Sequence, residues 1–299
     1  MERFGVRRIG ATKRKGDFRV QNPRNSVIFR VAPLLAAIAA PGVTQTLPPP
    51  IPAGIAAPAF ADFADLAVRA PIVAGVQIRR AVRLKGADAA GVVPPFTRFF
   101  IEADLVTLIR GAGGLPARVT YLVDMAPDAR GRVPKPKGMR VLLLATAVPA
   151  RPGELQLVAP TAQLEWTPAT EQRLRGLVTA LVARDAAPRI TGISGAFHVP
   201  GSLPGESETQ IFLTTAAAKP VSLSILRRPG EAPRWAVSLS DIVDETAATP
   251  ARETLLWYRL ACALPPALPP AATAALSPEE NAAARADYAV VLAGLGPCR

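Results

Sequence analysis

The chain has 299 residues, with 35 Lys and Arg, 23 Asp and Glu, one His, two Cys and a formal net charge of +12. A hydrophobic content of 49% excludes disorder throughout the chain, and the length fits one large domain or two modest ones. One histidine and two cysteines exclude the usual zinc sites and clusters held by four cysteines. We therefore expect no metal and no cofactor.

The positive charge is concentrated near the N-terminus. Residues 1–61 contain nine basic and two acidic side chains, whereas residues 62–299 contain 26 basic and 21 acidic ones. An uncharged apolar run at 31–43 follows the basic segment and would span only about 20 Å as a helix, which is too short to cross a bilayer. This layout is typical of a secretory signal. We therefore predict a periplasmic or secreted protein that does not bind nucleic acid.

The candidate cleavage site follows an A-x-A motif that ends at Ala61, which places the cut between Ala61 and Asp62. Six prolines in residues 41–58 separate this motif from the apolar run, so cleavage near Ala39 or Ala40 is the alternative. Two other hypotheses remain open, an uncleaved segment that anchors the protein to a membrane and a cytosolic basic arm.

The first exported unit, residues 62–165, is predicted to be β-rich. Its apolar segments carry Val, Ile and Leu with partial alternation, and Gly- and Pro-rich loops separate them. Five or six short strands without a helical period indicate a small antiparallel barrel or sandwich. The predicted strands lie at 64–84, 99–111, 117–124, 139–148 and 154–160.

The segments ADLAVRAPIVAGVQI, RFFIEADLVTLIRG and ARVTYLVD fall within residues 64–124, about a fifth of the chain. Their hydropathy rhythm resembles the opening of secreted OB-like or netrin-like barrels, which implies a β-barrel. The Ala-, Pro- and Arg-rich composition resembles that of secreted proteins from GC-rich alphaproteobacteria. That second resemblance implies export and names no activity.

The second unit, residues 166–299, is predicted to combine a β-meander with helices. Thr167 and Pro168 supply the N-cap and first position of a helix over 168–183. Strand patterns then alternate between an apolar face and a Ser/Thr-rich face, as in a sheet covered on one side. The fold class is therefore α+β, with C-terminal helices covering the meander. Its strands are predicted at 189–199, 209–216, 220–230 and 233–243, and the covering helices at 250–262 and 278–295.

The two cysteines, Cys262 and Cys298, fall near the ends of the two C-terminal helices. In an oxidising compartment we expect a disulfide that closes a loop of 36 residues, which stabilises the fold by about 3–4 kcal/mol. Two buried free thiols are the alternative.

His198 is the only histidine, so a triad hydrolase would have to use it. Ser202 and Glu206 are the nearby candidates for nucleophile and acid. The surrounding residues do not form a G-x-S-x-G elbow, and a hydrogen-bonded histidine at a strand end is the alternative. Asp241 and Asp244 could belong to a carboxylate pair, or could simply cap the following helix.

A basic loop between two predicted strands is the candidate binding element. Such a loop could contact an anionic surface such as lipid headgroups or a cell-wall polymer, and a solvated loop is the alternative. It lacks the interleaved aromatic residues of single-strand nucleic-acid binders. The candidate residues are Arg130, Arg132, Lys135 and Lys137.

These observations favour an exported, non-catalytic module that binds a component of the cell envelope. An exported hydrolase using His198 and a membrane-anchored envelope protein with an uncleaved leader are the alternatives. Membrane contact is expected only through the N-terminal segment.

Overall fold

A computed structural model describes residues 59–239 and 247–299. The predicted leader before residue 59, and with it Ala39 and Ala40, lies outside the described residues, as do Asp241 and Asp244. The described part is a mixture of helices and antiparallel sheets, which confirms the predicted α+β class. Its elements are α1 (Phe60–Arg69), β1 (Ile72–Arg83), β2 (Thr97–Arg110), β3 (Arg118–Met125), β4 (Arg140–Ala147), β5 (Glu154–Leu157), β6 (Gln163–Glu165), α2 (Pro168–Val182), β7 (Ile190–Pro200), β8 (Ser207–Thr215), β9 (Val221–Arg227), β10 (Arg234–Ser238), α3 (Leu255–Ala261) and α4 (Pro278–Leu295).

The first sheet is a closed barrel. Its strand order is β1-β2-β3-β5-β4, with β6 added to β4, and β1 also pairs with β4. The pairing of β3 with β5 is parallel, and the other pairings in this sheet are antiparallel. Five strands closed in this order form a Greek-key barrel of the OB type, so the predicted small barrel is confirmed.

The barrel closes because β1 can bend while it pairs with strands on both sides. Gly75 lies at a register shift in the β1–β2 pairing. A Cβ atom at this position would lie 2.7 Å from Cγ2 of Thr107, so a larger residue would push the two strands apart. Inside the barrel, alternate residues such as Ile101, Val119 and Tyr121 are buried.

The second sheet is the predicted meander, with strand order β10-β9-β8-β7 and antiparallel pairing throughout. Its buried face includes Ile211, Leu223 and Ile225. These residues belong to one hydrophobic cluster with Trp257 of α3 and Tyr288 of α4. The C-terminal helices therefore cover the apolar face, as predicted.

The same cluster also receives residues from the segment predicted as the first unit. Phe63 of α1 and Leu142 of β4 pack within it. Polar contacts reinforce this packing, since Arg110 Nη1 donates to the carbonyl of Ala67 at 3.2 Å and Arg175 Nη2 donates to Thr107 Oγ1 at 2.9 Å. One apolar core thus crosses the predicted unit boundary at residue 166.

Helix α1 corrects the predicted strand at 64–84, because the strand begins only at Ile72. The buried residues of α1 include Phe60, Phe63, Ala64 and Ala67, which follow helical spacing rather than alternation. The alternation that predicts a strand belongs only to the following segment, which forms β1.

Helix α3 begins later than predicted. The N-cap is Thr254, whose Oγ1 accepts a hydrogen bond from the amide of Trp257 at 3.2 Å. The predicted cap, Thr249, instead donates to the carbonyl of Trp235 at 2.7 Å. The capping box of α4 is present as predicted, because Ser277 and Glu280 each accept from the other's amide.

Cys262 and Cys298 form a disulfide, which confirms the predicted pair. Next to it, Arg299 donates from Nε to Asp62 at 3.1 Å and from Nη2 to Asp65. Tyr258 also donates to Asp65, at 2.5 Å, and burial together with this contact raises the pKa of Tyr258 to about 12. The last residues of the chain are therefore held against α1.

Replacing both cysteines, Cys262→Ala with Cys298→Ala, should lower the free energy of unfolding by about 3–4 kcal/mol, because the disulfide closes a loop of 36 residues. Urea denaturation followed by circular dichroism measures the change. The oxidised wild-type chain is the reference, and the reduced wild-type chain should match the variant. Equal midpoints for oxidised and reduced wild type would contradict the expectation.

Candidate functional site

The outer surface of the barrel carries a groove of about 620 Å³ between β2, β3 and β5. Side chains alternate along these strands, so Phe99 and Tyr121 point into the barrel while Phe100 and Leu122 point outward. Phe100 and Leu122 lie opposite each other in the β2–β3 register, and Leu122 is 49% exposed. The groove therefore has an apolar floor that the barrel core does not use.

A polar rim borders this floor. Arg98 donates to both carboxylate oxygens of Asp124, from Nε at 2.8 Å and from Nη2 at 2.9 Å. This two-point contact fixes both side chains, and hydrogen bonding to Asp124 raises the pKa of Arg98. Glu154 and Gln156 of β5 line the opposite side.

The groove has the chemistry of a binding surface. An apolar floor with a polar rim complements a ligand that presents an apolar surface between hydrogen-bonding groups. Tyr121 also borders the groove, but its side chain points into the barrel, where the hydroxyl donates to Gln163 Oε1 at 2.7 Å and burial raises the pKa of Tyr121. That hydroxyl is therefore neutral and already committed to a structural contact.

His198 lies on a different part of the molecule, where β7, β8 and β9 meet α4. Only 9% of its side chain is exposed. Its Nδ1 is 2.7 Å from Oγ1 of Thr209, which donates in turn to Asp287 Oδ2. Arg227 Nε donates to the other oxygen of Asp287 at 2.5 Å, and Asp287 has no exposed surface. These four residues form a relay of hydrogen bonds whose central members, Thr209 and Asp287, are fully buried.

The relay determines which ring nitrogen of His198 carries hydrogen. The hydroxyl of Thr209 has one proton, and that proton goes to the carboxylate of Asp287. The Thr209 oxygen can then only accept from the imidazole, so Nδ1 of His198 is the protonated nitrogen. Thr209 is bonded on both sides and is not a free nucleophile.

Ser202 and Glu206 form a separate contact in the turn between β7 and β8. Ser202 Oγ donates to Glu206 Oε2 at 3.5 Å, and the amide of Leu203 donates to the same oxygen at 3.3 Å. Among the described residues, no hydrogen bond joins His198 to Ser202 or Glu206. The structure therefore does not bring these three candidates together in the order that acyl transfer requires.

The candidate binding residues of the basic loop lie between β3 and β4. Arg132 pairs with Asp128, from Nη2 to Oδ2 at 3.0 Å. In the described part of the chain, Arg130, Lys135 and Lys137 are exposed and have no ion pair. These three side chains leave uncompensated positive charge at one end of the barrel.

The candidate cleavage residues are part of α1. Ala61 is fully buried, and Asp62 accepts a hydrogen bond from the amide of Ala59 at 2.9 Å. Phe60 packs edge-on against Trp257, with ring centroids 6.2 Å apart. Residues on both sides of the candidate cut therefore take part in the fold.

The groove and the relay include residues that sequence reasoning missed. Phe100 and Leu122 sit at the outward positions of an alternating pattern, where a large apolar residue is an available signal. Asp287 interrupts the apolar stripe of α4, and an acid at such a position indicates a buried partner. Thr209 and Arg227 carry no comparable signal.

Comparison with known protein families finds no matching family model, and comparison with curated proteins finds no match either. In the described ranges, no three His, Cys, Asp or Glu side chains are grouped as metal ligands would be. No helix there is both long enough and apolar enough to cross a bilayer.

We predict that nitrogen NMR of the imidazole will show His198 with hydrogen on Nδ1 at pH values where the ring is neutral. The chain has a single histidine, so its imidazole signals need no assignment, provided that the protein carries no histidine tag. Thr209→Val should abolish this preference and destabilise the fold by about 1–3 kcal/mol, because buried Asp287 loses a donor.

Thr214→Val on the same strand is the matched control, since Thr214 Oγ1 accepts only a solvent-exposed bond from Thr191 at 3.1 Å. This variant should retain the wild-type imidazole signals. A wild-type ring with hydrogen on Nε2 alone would contradict the direction of hydrogen bonding in which His198 Nδ1 donates to Thr209 and Thr209 donates to Asp287.

Proposed function

We propose that the chain is an exported, non-catalytic protein that binds a component of the cell envelope through the groove of its barrel. The observation that carries the proposal is the pair of outward-facing apolar side chains on the groove floor, half-buried Phe100 and exposed Leu122. Exposing apolar side chains between fixed polar groups has no benefit for folding but suits a binding surface.

The position of the groove agrees with this proposal. OB-type barrels commonly bind oligomeric ligands across the outer face of their second and third strands, and β2 and β3 form one wall of this groove. A fold alone does not determine a function, so the support comes from the side chains that line the groove. We propose an extended ligand, because the groove follows the strands and is open to solvent.

The environment of His198 favours a binding module over a hydrolase. A general base must reach the proton that it abstracts, and only 9% of the His198 side chain is exposed. Its hydrogen bond is to Thr209, whose own proton is held by buried Asp287. The relay is better suited to joining α4 to the second sheet.

The binding proposal predicts that Leu122→Asp will reduce retention of envelope material on the immobilised protein by at least about tenfold, because the carboxylate would be placed on the apolar floor. Val106→Asp is the matched control, since Val106 is a comparably exposed apolar residue of β2 outside the groove lining. The measurement is capture from solubilised envelope fractions, with thermal unfolding to confirm that both variants fold.

Retention that is the same for the Leu122→Asp variant and for wild type would overturn the assignment of the groove. Hydrolysis of an ester or glycoside by the exported form, lost in His198→Ala, would overturn the non-catalytic proposal.

We also propose that export removes the leader upstream of Ala59 rather than after Ala61. A cut after Ala61 would remove Phe60 and Ala61 from the core and would eliminate the N-cap of α1. Ala39 and Ala40, at the end of the apolar run, are the sequence alternatives for the cut.

Intact-mass measurement of the protein recovered from the periplasm or medium should therefore give an N-terminus that lies between Ala39 and Ala59. A mass that begins at Asp62 would contradict this expectation. A mass that corresponds to the whole chain would instead support the membrane-anchored alternative.

A further inference from the structure

Two loops lie together at one end of the barrel. The β1–β2 loop (84–96) and the β3–β4 loop (126–139) both follow strands that run in the same direction. Thr97 at the start of β2 pairs with Met125 at the end of β3, so the two loops adjoin each other there. The end of the β3–β4 loop is also held against β1, because Gly138 donates to the carbonyl of Ile78 at 2.7 Å and Ile78 donates to that of Met139 at 2.8 Å. We call these two loops, together with Arg83 at the tip of β1, the loop end.

The loop end exposes large apolar side chains. Val93 is 72% exposed and Phe96 is 48% exposed, both in the β1–β2 loop. Val133 and Met139, in the β3–β4 loop, are also exposed. A loop tip that only connected strands would be expected to present polar residues to water, so these four side chains indicate a partner.

The same end carries unpaired positive charge. In the described part of the chain, Arg83 and Lys85 are exposed without an ion pair, as are Arg130, Lys135 and Lys137. The loop end contains two acidic residues, Asp88 and Asp128. Asp128 forms an ion pair with Arg132, so only the negative charge of Asp88 is left to offset the unpaired basic side chains. Apolar and basic side chains are thus interleaved on one surface.

Both loops are held by hydrogen bonds rather than by the core alone. Asp128 Oδ1 accepts from the amides of Arg130 and Arg132, each at 2.9 Å, and these bonds lower the pKa of Asp128. Arg98 Nη1 donates to the carbonyl of Ala90 at 3.1 Å, which holds the β1–β2 loop against the barrel. The loop end therefore presents its side chains in a defined arrangement.

We propose that the loop end docks on an anionic lipid bilayer, with Val93 and Phe96 entering the interface while the basic side chains contact lipid headgroups. Apolar insertion and electrostatic attraction reinforce each other at such a surface. The positive charge would also suit a nucleic acid. Proteins that bind single-stranded nucleic acid stack its bases on several aromatic side chains, however, and only one of the four exposed apolar residues here is aromatic.

This inference goes beyond the proposed function, because it involves a different surface from the groove. It also narrows the sequence hypothesis of an anionic surface for the basic loop to a lipid bilayer, and it adds the apolar side chains of the β1–β2 loop to the contact. A protein that used both surfaces would bind its groove ligand close to a membrane.

The test places a tryptophan reporter in the full chain, with Phe96→Trp at the loop end and Val106→Trp, on β2 toward the other end of the barrel, as the matched control. Each variant is mixed with phosphatidylcholine vesicles, with and without one-third phosphatidylglycerol, and with brominated lipids as quenchers. The signal of the wild-type chain, which has three tryptophans, is subtracted. A local reporter is needed because the basic leader could bring the whole chain to the vesicle.

We expect the added fluorescence of the Phe96→Trp variant to shift to the blue and to be quenched on anionic vesicles, while that of the Val106→Trp variant stays unchanged. Adding Lys135→Glu and Lys137→Glu should weaken the response at position 96 by about tenfold or more. Lys219→Glu with Arg228→Glu, two exposed basic residues of the second sheet, should leave it intact.

Equal quenching at the two reporter positions would overturn the inference, as would a response that does not depend on anionic lipid. Binding of a single-stranded oligonucleotide without any vesicle response would overturn it in favour of nucleic acid. Adding Leu122→Asp to the Phe96→Trp variant should leave the vesicle response unchanged, so failure of the groove proposal and failure of this one can be distinguished.

Discussion

The double pairing of β1 is the constraint on which the arrangement of the molecule depends. This strand hydrogen-bonds to β2 on one side and to β4 on the other, which turns a sheet into a closed barrel. Closure has two consequences for the surface. It brings the β1–β2 and β3–β4 loops to the same end, and it leaves the outer faces of β2 and β3 beside β5, where the groove forms.

The packing of α4 on the second sheet is determined by a buried polar contact as well as by apolar burial. Its inner face is mostly apolar, but the position where α4 crosses it contains Asp287, a carboxylate without exposed surface. Thr209 and Arg227 satisfy both of its oxygens. An isolated buried charge is costly, so these partners determine where α4 can lie on the sheet as well as how tightly it packs. The relay thus restricts the register between α4 and the meander.

The sequence predicted those features that depend on neighbouring residues. The capping box at Ser277, the alternation of the meander strands and the cysteine pair all follow from local pattern or from elimination. The extent of the first strand was wrong, because Ala64, Leu66 and Val68 of α1 alternate as in a strand although the segment also fits helical spacing. Only tertiary contacts, such as Phe60 against Trp257, decide between the two.

The sites were harder to predict for a related reason. The relay joins Thr209 to Asp287 across 78 positions of sequence, and the groove needs a parallel pairing of β3 with β5 that no local signal indicates. His198, Ser202 and Glu206 are close in sequence, but His198 lies on β7 and contacts Thr209, whereas Ser202 and Glu206 lie in the following turn and contact each other. Proximity along the chain therefore suggested a cluster that the fold does not assemble.

The contacts of Arg299 with Asp62 and Asp65 join the two ends of the described body. The first helix is thus fastened by a residue that lies 237 and 234 positions away from its two partners. Contacts that span almost the whole chain form late in folding. The fastening of α1 by Arg299 therefore belongs to the last steps of folding, after the elements that α1 packs against have formed.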